Sequence, residues 1–161
     1  MLRLFVLCIA ALLALPAVAQ SFEVRVVNGD QTLVERFGLD ELLQMSRATV
    51  VDPSPQGDQV YEGVWLNQVL LISGVPEGGI LRGKSLSTYI LVEADDGYQV
   101  VFSLAELDEE FGNAKVLIAD KLNGEALPEG VGPFRLIVPG DQEGGRWVRQ
   151  VKTITVHQLL R

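Results

Sequence analysis

Arg146, Arg149 and Lys152 form the densest run of positive charge in an otherwise acidic chain, and Gly144-Gly145 stands immediately before it. A guanidinium presents a planar, paired set of donors that matches phosphate and carboxylate, and a glycine pair lets backbone N–H groups approach an anion. The chemistry such a run points to is the binding of a small anionic ligand. The opposing reading is that the arginines pair with carboxylates such as Asp141 or Glu143 and hold the last loop in place. Other constellations offer less. His157 is the single histidine, on a predicted strand, and no serine stands in a nucleophile-elbow sequence that could use it. The carboxylate groups Asp95-Asp96 and Asp108-Glu109-Glu110 lack the ligand spacing of a calcium loop. The first reads as hairpin-turn chemistry and the second as a solvated helix face.

The N-terminus bears on which of these chemistries is reachable. Arg3 is followed by an uncharged apolar run, Leu4 to Leu15, and then by Pro16-Ala17-Val18-Ala19. Positive charge, short apolar run and small residues at the cut make the pattern of a cleaved secretory signal. The run is too short for a permanent membrane span. Cleavage after Ala19 leaves one domain, residues 20–161, with no stable membrane anchor and a periplasmic or secreted location. The single cysteine, Cys8, lies inside the apolar run. Residues 20–161 therefore hold no disulfide, no thiolate ligand and no cysteine nucleophile. The formal net charge of −8 argues against a nucleic-acid surface, which needs clustered positive charge.

The strands and helices around these residues follow from the alternation and turn signals of the chain. Phe22, Val24 and Val26 alternate with more polar residues as a half-buried strand. Asn28-Gly29-Asp30 is a turn, and Thr32 to Phe37 returns as its hairpin partner. Leu39 to Met45 is expected as a short helix and Thr49 to Val51 as a brief strand. Asp52 to Asp58, with two prolines and a glycine, is a loop. Tyr61 to Trp65 leads into a helix, Leu66 to Ser73, closed by Gly74. Leu86 to Glu93 and Tyr98 to Phe102 read as strands joined by an Asp-Gly hairpin turn. Ser103 and Glu106 form a capping box, predicting a helix that runs to near Gly112. Val116 to Ala119, Phe134 to Val138 and Thr153 to His157 complete the strands. The fold class is α+β.

From Tyr61 onward the order of motifs resembles the oxidoreductase molybdopterin-binding domain, the sulfite oxidase fold. Tyr61-Glu62-Gly63-Val64-Trp65-Leu66 is similar to that family's entry into a helix, and Asp96-Gly97-Tyr98 to its D-G-Y turn. Leu122-Asn123-Gly124-Glu125-Ala126-Leu127-Pro128 resembles its L-N-G-E-P-L-P segment. Gly132 to Gly140 resembles G-x-P-x-R-L-V-V-P-G with one residue fewer, and Arg146-Trp147-Val148-Arg149 resembles its R-x-V-K-W end.

The resemblance implies molybdopterin as the family's cofactor, with molybdenum held by the pterin dithiolene and one cysteine thiolate. That cysteine would fall at the end of the strand at Thr49 to Val51, where this chain has Asp52, a hard oxygen donor in place of a soft thiolate. The family's exported enzymes leave the cytoplasm folded, by a twin-arginine signal, whereas this signal has only Arg3. Cofactor-face positions implied by the resemblance are Asp96, Tyr98, Arg135, Arg146 and Arg149, with Tyr61, Trp65 and Trp147 as further candidates for its groove. Arg149-Gln150 stands where the family has Lys-Trp. The expectation is a non-catalytic binding or accessory module without a cofactor, whose partner is a small anionic ligand or a periplasmic protein. The alternatives are a molybdopterin-dependent oxidoreductase and an interaction domain that uses an exposed sheet edge.

Overall fold

The computed structural model describes residues 20–53 and 55–158. The signal-like residues 1–19 lie outside them. Two sheets carry the fold. Sheet one contains β1 (Ser21–Asn28), β2 (Gln31–Gly38), β5 (Tyr89–Ala94), β6 (Gln99–Ser103) and β10 (Val151–Gln158), in the order β2-β1-β10-β5-β6. Sheet two contains β3 (Ala48–Asp52), β4 (Gln59–Trp65), β7 (Leu117–Leu122) and β8 (Glu125–Ala126), in that order, with β9 (Arg135–Ile137) also pairing β7. Three short helices sit between strands: α1 (Leu39–Leu43), α2 (Leu66–Ile72) and α3 (Leu104–Leu107). This is the α+β class expected. Among the described residues no helix is long and apolar enough to cross a membrane.

The strand alternation fixes the layers. Phe22, Val24 and Val26 of β1 turn inward, as do Ile90 and Val92 of β5 and Ile154 and Val156 of β10. They meet Val64, Ile118 and Leu136 of sheet two, and Leu66, Val69, Leu104 and Leu107 of the helices, in the main core. Phe22 stacks on Phe37 and meets Phe134 edge-on, with centroids 5.6 and 5.1 Å apart. The opposite face of sheet two carries a second cluster of Val50, Tyr61, Leu117, Ala119 and Ile137, partly covered by Trp147. Strand β4 runs between the two, with Val64 in the main core and Tyr61 in the second cluster. A ladder shift falls between Glu62 and Gly63, and a Cβ at Gly63 would lie 2.0 Å from the Ile118 carbonyl oxygen. Only glycine permits that approach.

Several boundaries differ from the sequence reading. The strand expected from Leu86 begins at Tyr89, because Gly83–Ser87 coils into a 3-10 turn. The capping box at Ser103 forms, with the Glu106 N–H donating to Ser103 Oγ at 3.1 Å and the Ser103 N–H to Glu106 at 2.8 Å. The helix it starts nevertheless ends at Leu107 rather than near Gly112. Asp108 stops it. Its carboxylate, expected on a solvated face, is buried and accepts the N–H groups of Gly78 at 2.6 Å and Glu110 at 2.9 Å. His157 lies on β10 as expected, stacked on Tyr89 at 4.7 Å. The parallel pairing of β1 with β10 joins the two ends of the described chain.

Candidate functional site

The last loop is tied down by Arg146. It sits at the end of a 3-10 turn, Gly144–Arg146. Its Nε and Nη2 donate to the two oxygens of Asp141 at 2.8 and 2.6 Å, and Nη1 donates to Glu106 at 2.9 Å. The guanidinium carbon lies 4.5 Å from the Phe102 ring centroid. Hydrogen bonding from Arg146 pulls the Asp141 carboxyl below its ordinary value. Burial opposes ionisation of Glu106, but the Ser103 N–H, Arg146 and the Ser103 hydroxyl together outweigh it and lower that carboxyl too. Arg146 correspondingly holds its proton more firmly, through Asp141 first and Glu106 next. The carboxylate pairing raised from the sequence is therefore present for Asp141. The second partner is Glu106, on α3, rather than Glu143.

The D-G-Y turn docks on the same loop. Gly97 takes the left-handed backbone (φ +86) that closes the turn. The Asp96 carboxylate accepts the Tyr98 N–H at 2.9 Å, an Asx turn, so it is engaged in its own hairpin. The half-exposed Tyr98 donates its hydroxyl to the Gly145 carbonyl at 2.6 Å. Asp95 pairs with Lys152 at 3.0 Å and raises the lysine's pKa. Arg149 is exposed and makes no hydrogen bond or ion pair among the described residues. Of the predicted basic run, Arg146 and Lys152 are paired with carboxylates and Arg149 is not, among the described residues.

Arg135 belongs elsewhere. It projects from β9 onto the outer face of sheet two, where Nη1 donates to the Tyr61 hydroxyl at 2.9 Å. The Tyr61 hydroxyl in turn donates to Gln59 at 2.7 Å. The Arg135 guanidinium carbon lies 5.4 Å from the Tyr61 ring and 5.6 Å from the Trp147 ring. Tyr61 and Trp147 meet edge to face at 6.0 Å, and the indole N–H donates to the Val138 carbonyl at 3.0 Å. Arg135 Nε is buried without a hydrogen-bond partner. Tyr61 is buried and Trp65 packs at the rim of this cluster. Of the five site residues predicted, Asp96, Tyr98 and Arg146 come together at the last loop with Arg149 at its exposed side. Arg135 shares no bonding partner with them.

Two features escaped the sequence reading. Arg47 donates through Nη1 and Nη2 to both oxygens of Asp120, at 2.6 and 2.7 Å, and the Asp120 side chain is only 2% exposed. Beside it opens a cleft of about 730 Å³ lined by Gly38, Asp40, Asp120, Leu127, Pro133 and Gln150, among others. An acidic residue ending the apolar run Val116 to Ala119 was the available signal. The L-P and G-P-F segments singled out by their motifs converge on this cleft, but Asp40, Glu41, Asp120 and Glu129 give its wall the wrong sign for a phosphate.

The donor set does not fit a molybdenum–pterin centre. Asp52 ends β3, half-buried and paired with Gln59. Among the described residues no three His, Cys, Asp or Glu side chains gather to hold a metal, and the one cysteine is residue 8. Arg146, the arginine best shaped for a phosphate, already has two carboxylates.

The model of the oxidoreductase molybdopterin binding domain matches residues 40–159. A nitrate reductase [NADPH] of Beauveria bassiana is 36% identical over 97 residues, which cover 53% of this chain and 10% of that protein. The sulfane dehydrogenase SoxCD of Paracoccus pantotrophus superposes with a TM-score of 0.60 at 24% identity, over 90% of this chain and 40% of that one. The chain thus spans a small part of these relatives, and the second likeness concerns the fold alone.

Proposed function

The chain belongs to the oxidoreductase molybdopterin-binding domain family, and within it we propose that this domain works without molybdenum, as an exported ligand-binding or accessory module. The donor set carries this reading: with no thiolate in residues 20–161 and no group of three His, Cys, Asp or Glu ligands among the described residues, the protein offers a redox metal no strongly donating thiolate. The state of Arg146 supports it, since a guanidinium held by two carboxylates offers little to a phosphate. The ligand side is then the last loop, where Arg149 stands exposed beside the Tyr98–Gly145 contact. A small anion or a periplasmic protein presenting carboxylates suits that surface. Export follows from residues 1–19, and N-terminal sequencing of the exported protein should begin at Gln20.

The test is the molybdenum and pterin content of protein purified from a cofactor-competent host. Folded protein free of both is the expected result. Near-stoichiometric metal would overturn the reading and favour the second one, an oxidoreductase that uses the pterin without a protein thiolate. The family match over residues 40–159 is the observation on that side.

A further inference from the structure

Strand β2 is the edge of sheet one, and among the described residues no strand pairs with its outer side. Gln31 to Arg36 are exposed, and only Phe37 is buried. Leu33 lies opposite Val26 and Phe37 opposite Phe22, so Leu33, Glu35 and Phe37 share the core-facing side. There Val26 is covered, while Leu33 remains 65% exposed; Val34, on the other face, is 50% exposed. Natural edges of this kind are guarded by charged side chains (lysine above all), an inward-pointing charge, proline or a bulge, and the guard here is Glu35, on the core-facing side opposite Val24. β2 has neither lysine nor proline, and its ladder with β1 runs through every pair from Asn28–Gln31 to Ser21–Gly38 without a shift. The hairpin also precedes the family-matched segment, which begins at residue 40.

We propose that β2 is the interface through which two copies of this chain join as one continuous antiparallel sheet about a two-fold axis. The strand is self-complementary in one register. With Leu33 opposite Leu33, Thr32 faces Val34 and Gln31 faces Glu35, and the turn residue Asp30 comes level with Arg36 of the other copy, which is bound within its own copy to Glu23. Apolar groups meet at the centre and opposite charges at both ends, with no like pair opposed. Sliding by two residues sets Leu33 against Glu35, and sliding by four sets Glu35 against Glu35. The open backbone groups supply adhesion and the side chains supply register. This interface stands apart from the last loop and is independent of whether the domain carries a cofactor.

Disulfide trapping and sedimentation test it, with Cys8→Ser as the background so that an introduced cysteine is the sole thiol. Opposed Cα atoms in an antiparallel pair are about 4.5–5.5 Å apart, within the reach of a disulfide. Leu33→Cys should oxidise to a covalent dimer, whereas Thr32→Cys and Glu35→Cys, which face other residues, should stay monomeric on a denaturing gel. Sedimentation across a concentration series should show a dimer, and Leu33→Lys, placing two ammonium groups at the axis, should weaken it about tenfold or more. A wild-type chain monomeric throughout, a dimer indifferent to Leu33→Lys, or equal trapping at all three positions would each overturn the proposal. Leu33→Lys is checked for folding by circular dichroism; if it unfolds, the position dependence of trapping decides alone.

Discussion

Arg135 stands on the strand before the last loop and Arg146 within that loop, yet one lies between ring faces and the other is paired with carboxylates. Arg146 has three charge-assisted hydrogen bonds and a ring beneath it. Arg135 has one bond to a neutral hydroxyl, two aromatic faces and a buried Nε with no partner. The first holds two separate segments, the Asp141 loop and the start of α3, in one arrangement. The second fills space on the outer face of sheet two, where its charge is poorly compensated. An arginine's place in a motif therefore says little about its duty; its partners decide that.

Removing the cation from a carboxylate should cost more than removing it from an aromatic face, and the most buried pair sets the upper end. Arg47→Ala strands the Asp120 carboxylate, whose side chain is 2% exposed, and should cost about 3 kcal/mol in chemical denaturation. Arg146→Ala frees two partly exposed carboxylates and should cost about 2 kcal/mol, less because solvent screens them. Equal losses at Arg146→Ala and Arg135→Met would break the comparison.

Acid sharpens it. Asp141 and Glu106 are depressed below their ordinary values of 3.8 and 4.5, so their contribution is complete above those values and disappears as pH falls through the lower, folded ones. The stability gap between wild type and Arg146→Ala should therefore be constant near neutrality and close as pH drops below about 4. A gap that persists in strong acid would mean that packing on Phe102 outweighs the ion pairs.

Smaller effects lie on the aromatic side. Arg135→Met keeps the stem between Tyr61 and Trp147 and removes an incompletely bonded charge, so the loss should stay within about 1 kcal/mol. Smallest of all is Arg149→Ala, which should leave stability within about 0.5 kcal/mol while weakening any binding of inorganic phosphate, measured by titration calorimetry. Unchanged phosphate binding would move the ligand side away from the last loop.

Much of the fold was legible in the residues. The alternation of Phe22, Val24 and Val26 gave the inward face of β1, and Asp95 to Gly97 gave the β5–β6 turn. Ser103 and Glu106 gave the start of α3 but not its end, because the groups that stop it are on Gly78 and Asp108, far apart in sequence. The site was legible in composition only. Arg146 and Asp141 are near neighbours along the chain and their pairing could be weighed beforehand, whereas Glu106 comes from another element. Arg47 and Asp120 showed no local sign of belonging together.

The strand and turn chemistry, the capping box and the absence of a thiolate from residues 20–161 can be read from the chain alone, since they depend on residue type and on neighbours a few positions away. Long-range packing set the parallel ladder of β1 with β10, the division of the arginines between carboxylates and rings, and the edge that β2 leaves unpaired among the described residues. Those follow from which distant segments share a sheet. Backbone pairing is nearly indifferent to side-chain identity, so the burial of the whole molecule, and no local pattern, selects among the pairings.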